Sequence, residues 1–271
     1  MPVPKLRPLC SEAGPRLLVR LACFLLLGLA SPAWAHPDLL EQIEALDALL
    51  LADPNNSELL AERGDLHRRH EDYSAASRDF AAARASQSGY DLLDFYEARL
   101  LLETSQAAEA EELLNRYLLL HPQHAGAWIL RAEIHLALSR PESAAKDYAM
   151  AVRHAVQASP GLYRDWALAL VAAGESQWSQ AGNVVDTGLE RFPQDISLLA
   201  LGTDIALAEN QPQAARRYIS RLPEPMTRLG QWQDRIALAN CLDKQVTVPG
   251  EQDCRSPAVA ALESQSRPGQ R

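Results

Sequence analysis

Residues 125–154 read AGAWILRAEIHLALSRPESAAKDYAMAVRH, and their pattern decides the class of fold. Two stretches carry apolar residues at helical spacing, and a short polar break at Ser139 and Arg140 separates them. Pro141 opens the second stretch, at a first-turn position where a missing N–H costs nothing. Counted from Ala125, the fourth position is Trp128, the eighth Ala132, the twentieth Ala144 and the twenty-fourth Tyr148, with Ala151 downstream. A small residue in each stretch, followed by a bulky one, is what a helical hairpin requires. Where two antiparallel helices approach most closely only a small side chain fits, and a large one from the neighbouring helix fills the adjacent hole.

The same frame extends outward in both directions. Pro54, Pro122 and Pro193 each follow an apolar helical stretch and lie 68 and 71 residues apart, which fits a 34-residue unit with three extra residues in one place. Units then begin at Ser57, Asp91, Ala125, Leu162 and Ile196. The twentieth position is Ala76, Ala110, Ala144, Ala181 and Ala215, alanine every time. The eighth is small in all five units: Gly64, Ala98, Ala132, Ala169 and Thr203. The twenty-fourth is large and apolar: Phe80, Leu114, Tyr148, Val185 and Ile219.

Over about residues 38–222 the chain resembles the tetratricopeptide repeat family, whose 34-residue unit carries this small-small-large-proline pattern. The departures are an Asp at the fourth position in two units (Asp94 and Asp165) and charges at the seventh (Arg63, Glu97 and Arg131), where leucine is usual. The resemblance implies an all-α, right-handed solenoid of five helical hairpins over residues 57–222. The spacing predicts helices near 57–70, 73–86, 91–103, 106–120, 125–138, 141–155, 162–174, 178–191, 196–209 and 212–221. Residues 36–56 read as a leading capping helix and 223–245 as a closing one carrying Trp232, Ile236 and Leu238. The tail 246–271, rich in Pro, Ser, Gln and Gly, reads as disordered.

The resemblance also implies a binding surface. In the family, the second, fifth, ninth and twelfth positions of each first helix line a concave groove. Carried onto this chain they are Leu92, Phe95, Arg99 and Leu102; then Ile129, Glu133 and Leu136; then Tyr163, Trp166 and Leu170. The first unit is more polar, with Glu58, Asp65 and Arg68. Apolar and aromatic anchors flanked by Arg99 and Glu133 suit a buried partner segment, although Phe95, Trp166 and their neighbours equally suit packing between units. Family members that grip a C-terminal carboxylate carry Lys and Asn at the fifth and ninth positions of the first unit. Here Ala61 and Asp65 stand there, and Asp65 would repel that group.

The N-terminus reads as an export signal. Lys5, Arg7, Arg16 and Arg20 precede an apolar run from Leu21 to Ala30, and Ala33 and Ala35 give small residues for cleavage after Ala35. The run is ten residues long where a membrane span needs about 20. Removal of residues 1–35 leaves 22 basic against 34 acidic residues, a net charge of −12, which disfavours a nucleic-acid partner. Of the four cysteines Cys241 and Cys254 remain, either as a disulfide in an oxidising compartment or as two unrelated thiols.

No catalytic motif is legible: there is no GxSxG, no glycine-rich phosphate loop and no CxxC. The pairs His67/His70 and His121/His124 lack further ligands at metal-site spacing and read as exposed surface residues, so no metal and no cofactor is expected. The alternative from another class is an exported metal-binding or enzymatic protein in which His36, as the mature N-terminus, chelates copper; it needs a second histidine that the sequence does not identify. The expectation is a non-enzymatic scaffold or adaptor, periplasmic or secreted, holding a protein or peptide partner in assembly of an envelope complex.

Overall fold

In a computed structural model, residues 38–86, 89–247 and 253–266 are described. Residues 1–35, expected to be an export signal, the expected cleavage site and His36 lie outside these residues. Among the described residues the chain is all-α, with no strand. A lone helix α1 (Leu39–Ala52) leads into five hairpins: α2 (Ser57–Arg69) with α3 (Tyr73–Ala85), α4 (Leu93–Glu103) with α5 (Ala107–Leu120), α6 (Ala125–Ala137) with α7 (Pro141–His154), α8 (Pro160–Ala172) with α9 (Trp178–Arg191), and α10 (Ile196–Ala208) with α11 (Pro212–Ile219). A single turn α12 (Glu224–Thr227), the long α13 (Gly230–Thr247) and α14 (Arg255–Ser266) complete the chain. Each hairpin packs on the next, as in a solenoid.

Local sequence explains where the helices begin. Asn56, Asp72, Ser159 and Asp195 each accept a hydrogen bond from a backbone N–H three residues on, satisfying one donor of the first turn. Pro141, Pro160 and Pro212 sit in the first turn of their helices. The hairpin turns repeat as well. Glu71, Ser105, Ser139 and Asn210, each the fifteenth residue of its unit, hold left-handed φ values of 57–63°. The following N–H then reaches back five residues, Arg140 N to His135 O at 2.7 Å for example, and closes the helix end.

The core follows the small-residue frame. Ala76, Ala110, Ala144, Ala181 and Ala215 are all at 0% exposure, and Gly64, Ala132 and Thr203 are buried where the facing helix crosses. The approach at Gly64 is so close that an added Cβ would lie 2.6 Å from the Phe80 ring. The seventh-position arginines also have a reason to replace leucine. Arg63 forks onto Asp79 across its own hairpin and reaches back to Asp47 of the preceding helix. Arg131 repeats this with Asp147 and Asn115. One guanidinium therefore stitches three helices together.

Three sequence expectations change. First, the extra residues do not all precede the fourth unit. α8 starts at Pro160, two residues before the expected Leu162, and the deficit is made up by a 3₁₀ turn at Glu175–Gln177 before α9. Gly174, at φ 116°, takes the left-handed turn position, which confirms the two-residue offset in α8. Second, the closing helix buries Trp232, Ala239 and Leu242, while Ile236 and Leu238 are only half-buried. Third, the tail expected to be disordered contains α14, which packs on α8 and α10. Its composition is polar, but Cys254, Ala258, Leu262 and Ser266 recur every four residues and form one buried stripe. Among the described residues no helix is long and apolar enough to cross a membrane.

Candidate partner-binding surface

The first helices of the hairpins approach one another along the stack, α2 to α4, α4 to α6 and α8 to α10, while successive second helices make no comparable contact. Elements on the inside of a bend lie closer together, so α2, α4, α6, α8 and α10 line the concave face. Their second, fifth, ninth and twelfth positions point along it.

In the middle of this face Leu92, Phe95, Leu102, Ile129 and Leu136 are half-buried, and Arg99 and Glu133 are exposed. The Phe95 ring leans on His124 at 4.9 Å and Tyr117 at 5.8 Å, with the Arg99 guanidinium 5.7 Å from its centroid. Phe95 therefore packs between units and remains half-buried. His67, His121 and His124, expected to be exposed, are half-buried, because aromatic and acidic neighbours surround them; His70 alone of those two pairs is exposed. Burial, helped by nearby His121, holds His124 below the usual histidine value and keeps the ring neutral in this stack.

Toward the N-terminal end the face turns acidic. Glu62, Asp65 and Tyr96 line a cleft of 380 Å³ with Leu46, Leu66 and Arg69. Burial and the neighbouring Glu58 raise the Glu62 carboxyl above its ordinary value. Arg68 is buried here, held by Asp65 and Glu103.

The fourth unit departs from the sequence assignment. Tyr163, expected to line the groove, is 2% exposed; its ring packs near Phe192 and its hydroxyl accepts from Arg191 at 3.0 Å. Leu170 is 4% exposed, and with half-buried Trp166 it faces a cleft of 280 Å³ whose walls include Ala145 and Lys146 of α7 and Gln180 of α9. That cleft lies between second helices, away from the concave face. The cause is the earlier start of α8, which places Gly161, Arg164, Leu168 and Val171 at the groove positions instead. Leu168 and Val171 are themselves buried, at 6% and 3%.

Two groups unmarked in the sequence close this end. Arg235 of α13 forks onto Asp204, the ninth residue of α10, at 2.6 and 2.7 Å, and Gln265 of α14 donates to the same carboxylate at 2.9 Å. Leu262 is fully buried in the cluster that contains Leu168 and Val171. Cys241 and Cys254 form a disulfide, with Cα atoms 6.0 Å apart, joining α13 to the start of α14. Among the described residues no group of three or more His, Cys, Asp or Glu is placed to hold a metal ion. The buried His135 lies 3.3 Å from Asp147, but that carboxylate is already engaged by Arg131, so the cluster is a structural stitch.

No family model and no curated protein matches the sequence. Solved structures with the same architecture do. The C-terminal part of a TPR repeat-containing protein from Cytophaga hutchinsonii superposes with a TM-score of 0.61 at 16% identity, covering 90% of this chain and 95% of that one. PilF from Pseudomonas aeruginosa gives 0.58 at 18% identity, over 82% and 96%. A tetratricopeptide repeat protein from Parabacteroides merdae gives 0.50 at 15%, over 93% and 97%. At such identities the likeness is one of fold, and it agrees with the repeated alanines, turns and hairpins found here. The chain has the tetratricopeptide-repeat fold, an α-solenoid of stacked helical hairpins.

Proposed function

We propose that this protein is an exported, non-enzymatic scaffold or adaptor that holds a segment of a partner polypeptide on its concave face, in assembly of a complex of the cell envelope. The observation that carries the reading is the open middle of that face. Phe95, Leu102, Ile129 and Leu136 form a half-buried apolar strip there, with Arg99 and Glu133 exposed at its sides. Apolar side chains in a concavity supply affinity once water is displaced, and the flanking charges set direction and register. The acidic N-terminal end, with Glu62 and Asp65, favours a partner segment that is basic on that side. An amphipathic helix or an extended strip of about the length of two units fits this surface.

Export rests on the basic start, the ten-residue apolar run and the Ala33–Ala35 cleavage pattern, with a periplasmic or secreted destination. A disulfide between Cys241 and Cys254 accords with an oxidising compartment. The test is cross-linking and recovery of partners from the native envelope. Arg99→Glu and Ile129→Asp are expected to abolish recovery of a specific partner, and Trp166→Ala, on the other side of the hairpins, to leave it intact. Equal recovery by all three variants would remove the groove from consideration.

A further inference from the structure

We propose that α14 is a built-in occupant of the concave face, docked over the fourth and fifth units and latched there by the Cys241–Cys254 disulfide, so that reduction of that bond frees the helix and extends the open groove. α14 contacts the first helices α8 and α10, the two that line the groove at this end. It does so through one stripe: Cys254, Ala258, Leu262 and Ser266 are 0–8% exposed, while Arg255, Ser256, Ala260, Ala261 and Glu263 are exposed. A single buried stripe is how any amphipathic surface helix attaches; what sets α14 apart is that its stripe seats on the groove positions of α8 and α10.

Its attachments are those of a groove ligand. Leu262, fully buried, and half-buried Val259 join the cluster of Leu168 and Val171, which occupy the groove positions of α8. Gln265 donates to Asp204 at a groove position of α10. At the other end Arg255 donates to the Ala208 carbonyl at 2.9 Å, capping the end of α10, and to Glu175 at 3.0 Å. One leucine, a half-buried valine and a few small residues make a modest seat by themselves. The disulfide, 13 residues in span, ties the start of α14 to α13 and so lowers the entropy lost when the tethered helix docks. Reduction by an external dithiol is balanced: two electrons pass to the protein disulfide, Cys241 and Cys254 each take up a proton, and the dithiol closes to its own disulfide.

For its consequence the inference rests on the concave face being the partner surface, but its test reads the helix itself. Hydrogen exchange of the full chain is followed for the oxidised protein, the dithiothreitol-treated protein, Cys241→Ser/Cys254→Ser, and oxidised Leu262→Asp. Exchange in 255–266 is expected to rise about tenfold or more in the last three, with α6 and α7 unchanged. A fluorescent peptide of residues 253–267 carrying Cys254→Ser is expected to bind the three opened forms about tenfold more tightly than the oxidised protein. Unchanged exchange in 255–266, a rise spread together over α8–α13, or a peptide that binds no opened form would overturn the latch. If the helix opens as expected while Arg99→Glu and Ile129→Asp leave the recovery of envelope partners unchanged, the latch stands and the concave-face reading fails.

Discussion

Arg131 donates two hydrogen bonds, each 2.8 Å, to the Asp147 carboxylate across the third hairpin, and its third nitrogen reaches Asn115 of the preceding hairpin. The pair is largely shielded, with Asp147 at 6% and Arg131 at 18% side-chain exposure. Removing one partner leaves the other charge buried and unpaired. Asp147→Ala is therefore expected to cost about 2–4 kcal/mol in urea unfolding, and the double change with Arg131→Leu less than the sum of the singles. Additive losses would show that the fork does not couple the two helices.

The hairpin turns set a second expectation. Glu71 and Ser139 hold left-handed backbones at φ 63° and 57°, a conformation that costs a non-glycine residue about 1 kcal/mol. Glu71→Gly and Ser139→Gly should each raise the stability by that amount, less the entropy that glycine adds to the unfolded chain. Gly174→Ala, at φ 116°, should lose about 1–3 kcal/mol. Thermal midpoints moving the opposite way would contradict the turn assignment in the fourth unit.

At the closest helix crossing Gly64 has no room for a methyl group: the added Cβ would meet Phe80 at 2.6 and 2.8 Å. Gly64→Ala should cost about 1–3 kcal/mol by overpacking, and Phe80→Leu in the same chain should recover part of it. A neutral Gly64→Ala, measured by denaturant midpoint, would mean that the hairpin opens at no cost.

Stability should fall in two stages as pH is lowered. His124 is held neutral, its value depressed chiefly by burial, so the fold loses stability as pH drops from the ordinary histidine value of 6.5 toward the lower folded one. Burial pushes Asp147 upward, but hydrogen bonds from Arg131 and His135 outweigh it and hold the carboxyl below its ordinary 3.8; that contribution is full above 3.8 and is lost below it. Urea midpoints taken between pH 8 and 3 should show both steps. His124→Gln should erase the first and keep the second.

The repeat was legible because its demands are local. A 34-residue phase, alanine at each twentieth position and proline in the first turn of second helices identify hairpins before any contact is seen, since backbone approach admits few side chains. The fourth-unit register was harder. Ala167 and Ala169, both fully buried, each satisfy the small-residue rule, and only the Ser159 cap and the Gly174 turn select the earlier start. A shift of two residues turns a helix by more than half a revolution, so Trp166 and Leu170 face the cleft with Lys146 and Gln180 and not the groove.

By itself, then, the sequence determined the class of fold and its tandem hairpins, because helix periodicity and close packing act over a few residues; the groove positions came only as what the family resemblance implies. Which end of the concave face is closed was decided only in three dimensions. Four buried residues spread through a polar tail carry too little apolar character to mark α14 as a helix. They become a stripe only when Leu168, Val171 and Asp204, some 60 to 90 residues away in sequence, supply the surface that buries them.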